Sequence, residues 1–192
     1  MTPLRTARLA LRPFVPSDAA IIAKLAGDER VAKMLADIAL PFDEASAGLW
    51  LRPAWGDQRL AIERDSELIG GVSYHVYSGG IGGVGYWLGH AFWGQGYARE
   101  AAETIVRNGF VNDRLQMFTS AHFADNPASG RVLSRIGFTE YARGSDWCLA
   151  RQCKVDCIRY VLQRETMGLR PVRRTWAGWL GFHPLQKNWT RA

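Results

Sequence analysis

The run Gly85-Tyr86-Trp87-Leu88-Gly89-His90-Ala91-Phe92-Trp93-Gly94-Gln95-Gly96-Tyr97-Ala98-Arg99-Glu100 constrains the fold more than any other part of the chain. An apolar, strand-like segment ends in a glycine-rich turn, and a helix-forming segment follows at once. Gly94 and Gly96 let the backbone turn tightly and approach a ligand closely. The free N–H groups of the turn and of the first helical turn then point at one spot, where the helix dipole also favours negative charge. The expected occupant is a pyrophosphate. Taken alone, such glycines mark an ordinary strand–helix connection more often than an anion site.

A second segment agrees with the first. Asn126-Pro127-Ala128-Ser129-Gly130-Arg131-Val132-Leu133-Ser134-Arg135-Ile136-Gly137-Phe138 opens as a helix start, with Asn126 as N-cap and Pro127 at the first helical position. Val132, Leu133 and Ile136 form an apolar stripe at helical spacing. Gly137 ends the helix, and Phe138 begins the next strand.

The two segments resemble the GNAT family of N-acetyltransferases, from about Ala7 to about Glu165. Trp93-Gly94-Gln95-Gly96-Tyr97-Ala98 is similar to the family's acetyl-CoA loop, Arg/Gln-x-x-Gly-x-Gly/Ala, with Gly96 and Ala98 at its last two defined positions. Trp93 stands where Arg or Gln is usual, so a side-chain donor is expected to be lost while the backbone N–H groups remain. The Asn126 segment is similar to the next motif. The wording is nearest to the Rim-type ribosomal-protein N-terminal acetyltransferases. The resemblance implies an acetyl-CoA-dependent domain over 1–165. Residues 166–192 are a basic, aromatic extension that it does not cover.

Composition fits this reading. A chain of 192 residues with 47% hydrophobic content is expected to form one domain with a full core. No run of ~18 apolar residues is present, so no membrane partner is expected. The N-terminus lacks an apolar signal core, and a cytoplasmic location is expected. Cys148, Cys153 and Cys157 have no metal-ligand spacing with any His. They read as strand positions in a reducing compartment, with neither disulfide framework nor metal. The net charge of +6 is concentrated at the end: from Arg164 onward six basic residues face one acid.

A coarse pass gives strand, helices, three strands, helix, strand, helix, two strands. Arg8–Arg12 alternates as a strand should. Ser17 is the expected cap of a helix carrying Ile21, Ile22 and Leu25. Asp43 and Glu44 open a helix through Trp50. Leu60–Glu63 and Leu68–Val76 read as a hairpin joined at Arg64–Glu67. Arg99–Asn112 is a helix, Gln116–Ala121 a strand, and Tyr141–Leu149 and Val155–Leu162 finish the sheet. The expected fold is α/β: one GNAT-like domain with a mixed, mostly antiparallel sheet of about seven strands, flanking helices and a central parallel splay.

In the resembled family acetyl-CoA lies in that splay, here between the strand ending at Leu88 and the strand through Ala121. The resemblance implies that pantetheine pairs with the edge around Trp87, Leu88 and Gly89. The pyrophosphate would meet Gln95, Gly96, Tyr97, Ala98 and Arg99, with Asn126 and Arg131 also on the cofactor side. A backbone N–H near Leu88 would stabilise the oxyanion as an amine attacks the thioester. The amine is itself the nucleophile, so catalysis is largely positioning. Ser129 matches the family's serine beside the sulfur. By residue physics alone it is a helix N-terminal serine satisfying a free N–H.

The amine must lose a proton. Some relatives carry a glutamate in the strand entering the glycine turn or in the strand before the Asn motif, where Gly83, Gly85 and Ala121 stand here. His75 is the first candidate base, being on a central strand and titrating near neutral pH. Glu63 and His122 follow; for each, an exposed or hydrogen-bonded polar residue is the commoner reading, and a water chain ending at no single residue is the alternative. Arg99 and Arg131 divide evenly between phosphate contacts and a solvated helix face. Trp93 and Tyr97 line the cofactor channel or fill the core.

The expected function is acetyl transfer from acetyl-CoA to a primary amine, foremost a protein N-terminus. The alternatives are a small amine such as a polyamine, amino acid or aminoglycoside, a non-catalytic acyl-CoA binder, and a nucleic-acid module using the tail. Trp176, Trp179 and Phe182 are expected to pack on the domain or on a second subunit, as in a homodimer, with Arg173 and Arg174 near solvent. Nucleic acid is not favoured as a partner.

Overall fold

The computed structural model describes residues 3–52 and 57–170. Its strands are β1 (Leu4–Arg5), β2 (Ala10–Pro13), β3 (Asp57–Arg64), β4 (Glu67–Tyr77), β5 (Ile81–Leu88), β6 (Met117–Phe123), β7 (Thr139–Cys148) and β8 (Cys153–Gln163). They form one sheet in the order β1-β2-β3-β4-β5-β6-β8-β7. The sheet has eight strands rather than about seven, the addition being the short Leu4–Arg5 edge. The helices are α1 (Ala19–Ala26), α2 (Glu29–Ala32), α3 (Glu44–Trp50), α4 (Tyr97–Val111) and α5 (Pro127–Ile136). The expected packing of Trp176, Trp179 and Phe182 concerns residues outside those described.

The hairpins follow from local chemistry. Asp65 and Ser66 both take positive φ, 50° and 66°, which turns β3 directly into β4. The ladder then shifts by one residue between Ile62 and Glu63, a bulge whose consequence lies at the far end of the pair. β4 pairs antiparallel with β5 along its length, from Gly70↔Leu88 to Tyr77↔Ile81.

β5 and β6 are parallel neighbours, but they pair only at Ile81↔Met117, Gly82↔Phe118 and Gly83↔Thr119. Past Gly83 they diverge, although β5 runs on to Leu88 and β6 to Phe123. The Ser120 hydroxyl donates to the Val84 carbonyl at 2.9 Å, a side-chain bond where backbone pairing stops. This fork is the expected splay.

The main core lies between the sheet and α4 with α5. Ala101, Ala102, Ile105, Val106 and Phe110 of α4 meet Leu60, Ile62, Val72, Tyr74, Val84 and Leu88 of the sheet. A smaller core on the opposite face joins α1, α2 and α3 through Ile22, Ala32, Ile38, Ala47, Ala61 and Leu68. Cys148 and Cys157 are buried, Cys153 is exposed, and all three are free thiols on strands β7 and β8.

The entry to α1 differs from expectation. A single 3-10 turn over Pro16–Asp18 precedes the helix, and no side chain caps it. Asp18 instead accepts from the Val15 N–H at 2.9 Å and takes both terminal nitrogens of Arg12, at 2.7 and 2.9 Å. Arg12 Nε donates to Glu63 at 2.6 Å. Burial raises the Asp18 pKa, but the bonds from Arg12 and Val15 outweigh it, and the carboxyl titrates below its usual range. Asp18→Ala should therefore destabilise the fold by about 3 kcal/mol, because Arg12 loses a buried partner. For a chain of this size that is about 6–12 °C in melting temperature. A lowered carboxyl pKa supplies stability above the unfolded-state value, which is lost as pH falls through the folded one. The difference between wild type and variant should shrink in acid melts.

Candidate active site

The edge of β5 sets the geometry. The Gly89 N–H donates to Ile69 at 2.9 Å, so Gly89 faces β4. Backbone groups alternate in direction along a strand. Trp87 therefore also faces β4, whereas Tyr86 and Leu88 turn their N–H and C=O groups towards the gap left by β6. Two bonds agree with this alternation: Ser120 to the Val84 carbonyl, and Trp93 Nε1 to the Leu88 carbonyl at 2.8 Å. The Trp93 indole thus donates within the protein and ties the glycine turn to the end of β5.

The turn is built for backbone presentation. Gly94 has φ +75° and Gly96 φ +83°, the latter as N-cap of α4. These are left-handed conformations that a β-carbon disfavours. The loop is braced from the N-terminal strands. Arg8 donates to the Gln95 carbonyl at 3.0 Å and to Glu100 at 2.8 Å, and its guanidinium lies 4.7 Å from the Tyr97 ring centre. Burial raises the Glu100 pKa, but the bonds from Thr6 and Arg8 outweigh this and hold the carboxyl ionised and low. Glu103 is 3.7 Å from Arg99. The acids of the first α4 turns are therefore paired, leaving the N–H groups and dipole to attract an anion.

Ser129 lies in the first turn of α5. Its N–H reaches the Asn126 side chain at 3.3 Å, so Asn126 is the N-cap that the sequence suggests. Its hydroxyl lies 2.9 Å from the Tyr86 hydroxyl.

His75 projects from the opposite face of the sheet. Its Nδ1 is 2.7 Å from Asp57 Oδ1, and Asp57 is held in turn by Arg59 Nε at 3.1 Å. A carboxylate only accepts, so Nδ1 carries the hydrogen and the neutral ring keeps its Nε2 lone pair free of Asp57. His75 is the register partner of Gly83, on the side where Gly83 and Gly85 leave the floor without side chains. Arg59 links the His75–Asp57 pair to an aromatic group on the same cavity. Phe14 and Trp50 rings are 5.7 Å apart, Trp50 and Trp87 6.4 Å, and Arg59 lies 4.9 Å from the Trp50 ring. Trp50 Nε1 donates to Asp37 at 3.0 Å.

One cavity of about 1140 Å³ joins these parts through the fork. That exceeds the usual space for a single drug-sized ligand. Of the expected site residues, Ser129, His75, Trp87, Leu88, Gly96, Ala98, Arg99, Asn126 and Arg131 line it. Three contribute differently. The Tyr97 ring is buried in the main core, Gln95 Nε2 bonds Ala91, and the Gly89 N–H is committed to Ile69. The Trp87 indole packs with α1 and α3, and its backbone groups are turned to β4 rather than to the fork. Glu63 is engaged by Arg12 and is away from the cavity. His122 lines the cavity but is buried, its Nδ1 donating to the Phe123 carbonyl at 2.7 Å.

Two lining residues escape a sequence reading, Asp57 and Tyr86. Asp57 precedes the apolar run that marks β3, and the Tyr86 hydroxyl meets Ser129 only through the fold. Among the described residues no cluster of His, Cys, Asp and Glu fit for a metal occurs, and no helix is long and apolar enough to cross a membrane.

The site therefore combines a glycine turn at a helix start, a strand edge unpaired by β6 and a histidine–carboxylate pair, an arrangement suited to an acyl-CoA-dependent transferase. The family model described as "Acetyltransferase (GNAT) domain" matches residues 8–139. The chain belongs to the GNAT acetyltransferase family and is an acetyl-CoA-dependent acyltransferase. It is 25% identical to the uncharacterized N-acetyltransferase p20 of Bacillus licheniformis over 88% of this chain and 100% of that protein. A GNAT-family acetyltransferase from Bacillus anthracis has the same fold, with a TM-score of 0.76, 21% identity, and coverage of 85% of this chain and 99% of that one. So does RimL, a ribosomal L7/L12 alpha-N-protein acetyltransferase solved with coenzyme A, with a TM-score of 0.75, 18% identity, and coverage of 86% and 99%.

Proposed function

We propose that this protein transfers an acetyl group from acetyl-CoA to a primary amine, foremost a protein N-terminal amine, by direct attack on the thioester. The observation that carries this reading is the continuity of the cavity from the Gly94–Ala98 turn, through the β5–β6 fork, to the His75–Asp57 pair. The donor occupies one side of the fork and the acceptor the other. The similarity to RimL and the Rim-type wording of the motifs support the N-terminal acceptor.

In this reading the pyrophosphate meets the N–H groups of the turn and the start of α4, with Arg99 and Arg131 beside it. Pantetheine pairs with the Tyr86 and Leu88 edge, and the Leu88 N–H faces the developing oxyanion. His75, oriented by Asp57, removes a proton from the amine directly or through water. The N–C bond forms, the C–S bond breaks with its electron pair on sulfur, and Ser129 donates a hydrogen bond to the departing thiolate. The proton leaving nitrogen balances the one the sulfur takes up.

Thiol release from acetyl-CoA over a panel of N-terminal peptides and small amines tests the reading. Turnover with peptides above that with amines supports it. Turnover confined to small amines would move the assignment to those substrates, for which the Phe14, Trp50 and Trp87 wall is the favouring feature. Acetyl-CoA binding without turnover on any acceptor would leave only a binder. Ser129→Ala should lower kcat by about 10² while changing acetyl-CoA affinity by less than about threefold, since the hydroxyl acts on the leaving group. Full activity would return Ser129 to a helix-start role.

A further inference from the structure

The Tyr86 hydroxyl is within bonding distance of two atoms of Ser129, the hydroxyl at 2.9 Å and the carbonyl at 3.0 Å. A phenol has one hydrogen to donate, and a carbonyl only accepts. Two arrangements therefore satisfy the same heavy-atom positions. In one, Tyr86 donates to the Ser129 carbonyl, so the serine hydroxyl must donate to the Tyr86 oxygen and is turned away from any ligand. In the other, Tyr86 donates to the serine oxygen, and the serine hydrogen is released to point into the fork. Passing between them needs only hydroxyl rotation.

We propose that Tyr86 is a positioning residue that governs the direction of the Ser129 hydroxyl: it holds the hydrogen on its own oxygen, away from the fork, until a thiolate forms, then donates to the serine oxygen as that hydrogen turns to sulfur. This rests on the reading of Ser129 given above. The sequence encodes the arrangement through strand alternation. Tyr86 shares the α5-facing side of β5 with Val84 and Leu88, and Asn126 caps the helix that brings Ser129 over it. Burial raises the Tyr86 pKa well above the usual phenol range, partly countered by the Ser129 hydrogen bond. Tyr86 therefore stays a neutral donor. It takes no proton from the amine and touches no reacting atom itself, and no net charge is created on the pair.

The test is a double-mutant cycle with Tyr86→Phe and Ser129→Ala, scored on kcat and on KM for acetyl-CoA. Tyr86→Phe should lower kcat about tenfold with KM for acetyl-CoA changed by less than about twofold. The double variant should be no slower than Ser129→Ala alone, because Tyr86 acts only through the serine. Wild-type kcat in Tyr86→Phe, or losses that multiply in the double variant, would overturn the proposal. Wild-type turnover in the same assay judges the acetyl-transfer reading separately. A crystal structure of the wild-type protein with coenzyme A gives an answer that depends on neither activity nor the folding of a variant. The sulfur should lie within hydrogen-bond distance of Ser129 Oγ, with Tyr86 Oη still on that oxygen. A sulfur elsewhere, or a Tyr86 withdrawn from Ser129, would overturn it.

Discussion

His75→Asn should lower kcat/KM for the acceptor amine by about 10²–10³, the range expected when a positioned base is removed. Asparagine keeps a polar group of similar reach but cannot take up a proton. The protein should still fold and still bind acetyl-CoA, because His75 lies on the face of the sheet opposite Tyr86 and Ser129 and is partly exposed. The shape of the pH profile separates a base from a merely structural residue. A base works only in its neutral form, so the wild type should lose rate on the acid side beyond the loss set by the amine's own protonation, and the variant should keep only the amine's part. Asp57→Asn should cost less, about tenfold, since the imidazole remains but the group that fixes its tautomer is gone. Steady-state kinetics across pH measures all three proteins. A His75→Asn enzyme with unchanged rate and an intact acid limb would remove His75 from the mechanism and point to a water chain that ends elsewhere.

The second large effect is at the glycine turn. Gly96 has φ +83° at the N-cap of α4, and a β-branched residue is strongly disfavoured there. Holding that conformation costs on the order of 1–3 kcal/mol. A chain that relaxes instead turns the converging N–H groups away from the phosphates. Gly96→Val should therefore weaken acetyl-CoA binding about 30- to 100-fold by calorimetry, since each 1.4 kcal/mol is about tenfold. Space is the lesser constraint. A β-carbon at Gly96 would meet only the end of Arg8 at 3.4 Å, and one at Gly94 nothing within 4 Å. The penalty is conformational, so Gly94→Val should act in the same direction. Unchanged affinity in folded Gly96→Val would mean that the donor does not use this turn.

The parts of the proposed cofactor half were legible along the chain because each of them is local. The glycines, the helix start after them, the Asn126 cap and Ser129 on the first turn of α5 are set by contacts within a few residues. Backbone conformation at those positions follows from whether a β-carbon is present or a side-chain oxygen can reach a nearby N–H. The order of strands and helices was legible for the same reason. Helix α1 was the local exception: Ser17 is a good cap by type, but Asp18 is pulled into an ion pair with Arg12, and the helix starts on a 3-10 turn instead.

Alternation along β5 could be read as a pattern, but not which of its edges would be left open. That depends on where β6 stops pairing, three residues in, and the strand is distant in sequence. Tyr86 meets Ser129 across 43 positions by the same route.

The proposed acceptor half shows the division most plainly. His75 stands out by residue type, a histidine on a mostly apolar strand. Its partner does not. Counting back across the hairpin from Arg64↔Glu67 without a shift would set His75 opposite the glycine before Asp57. The bulge between Ile62 and Glu63 moves the register by one, so that Asp57 meets His75 instead. Local residue chemistry thus determined the turn, the caps and the identity of the candidate groups, because short-range sterics and hydrogen bonds suffice for those. Strand register, the point of divergence at Gly83 and the pairing of His75 with Asp57 were decided only by the packed sheet, where one residue of slip exchanges every partner along the strand.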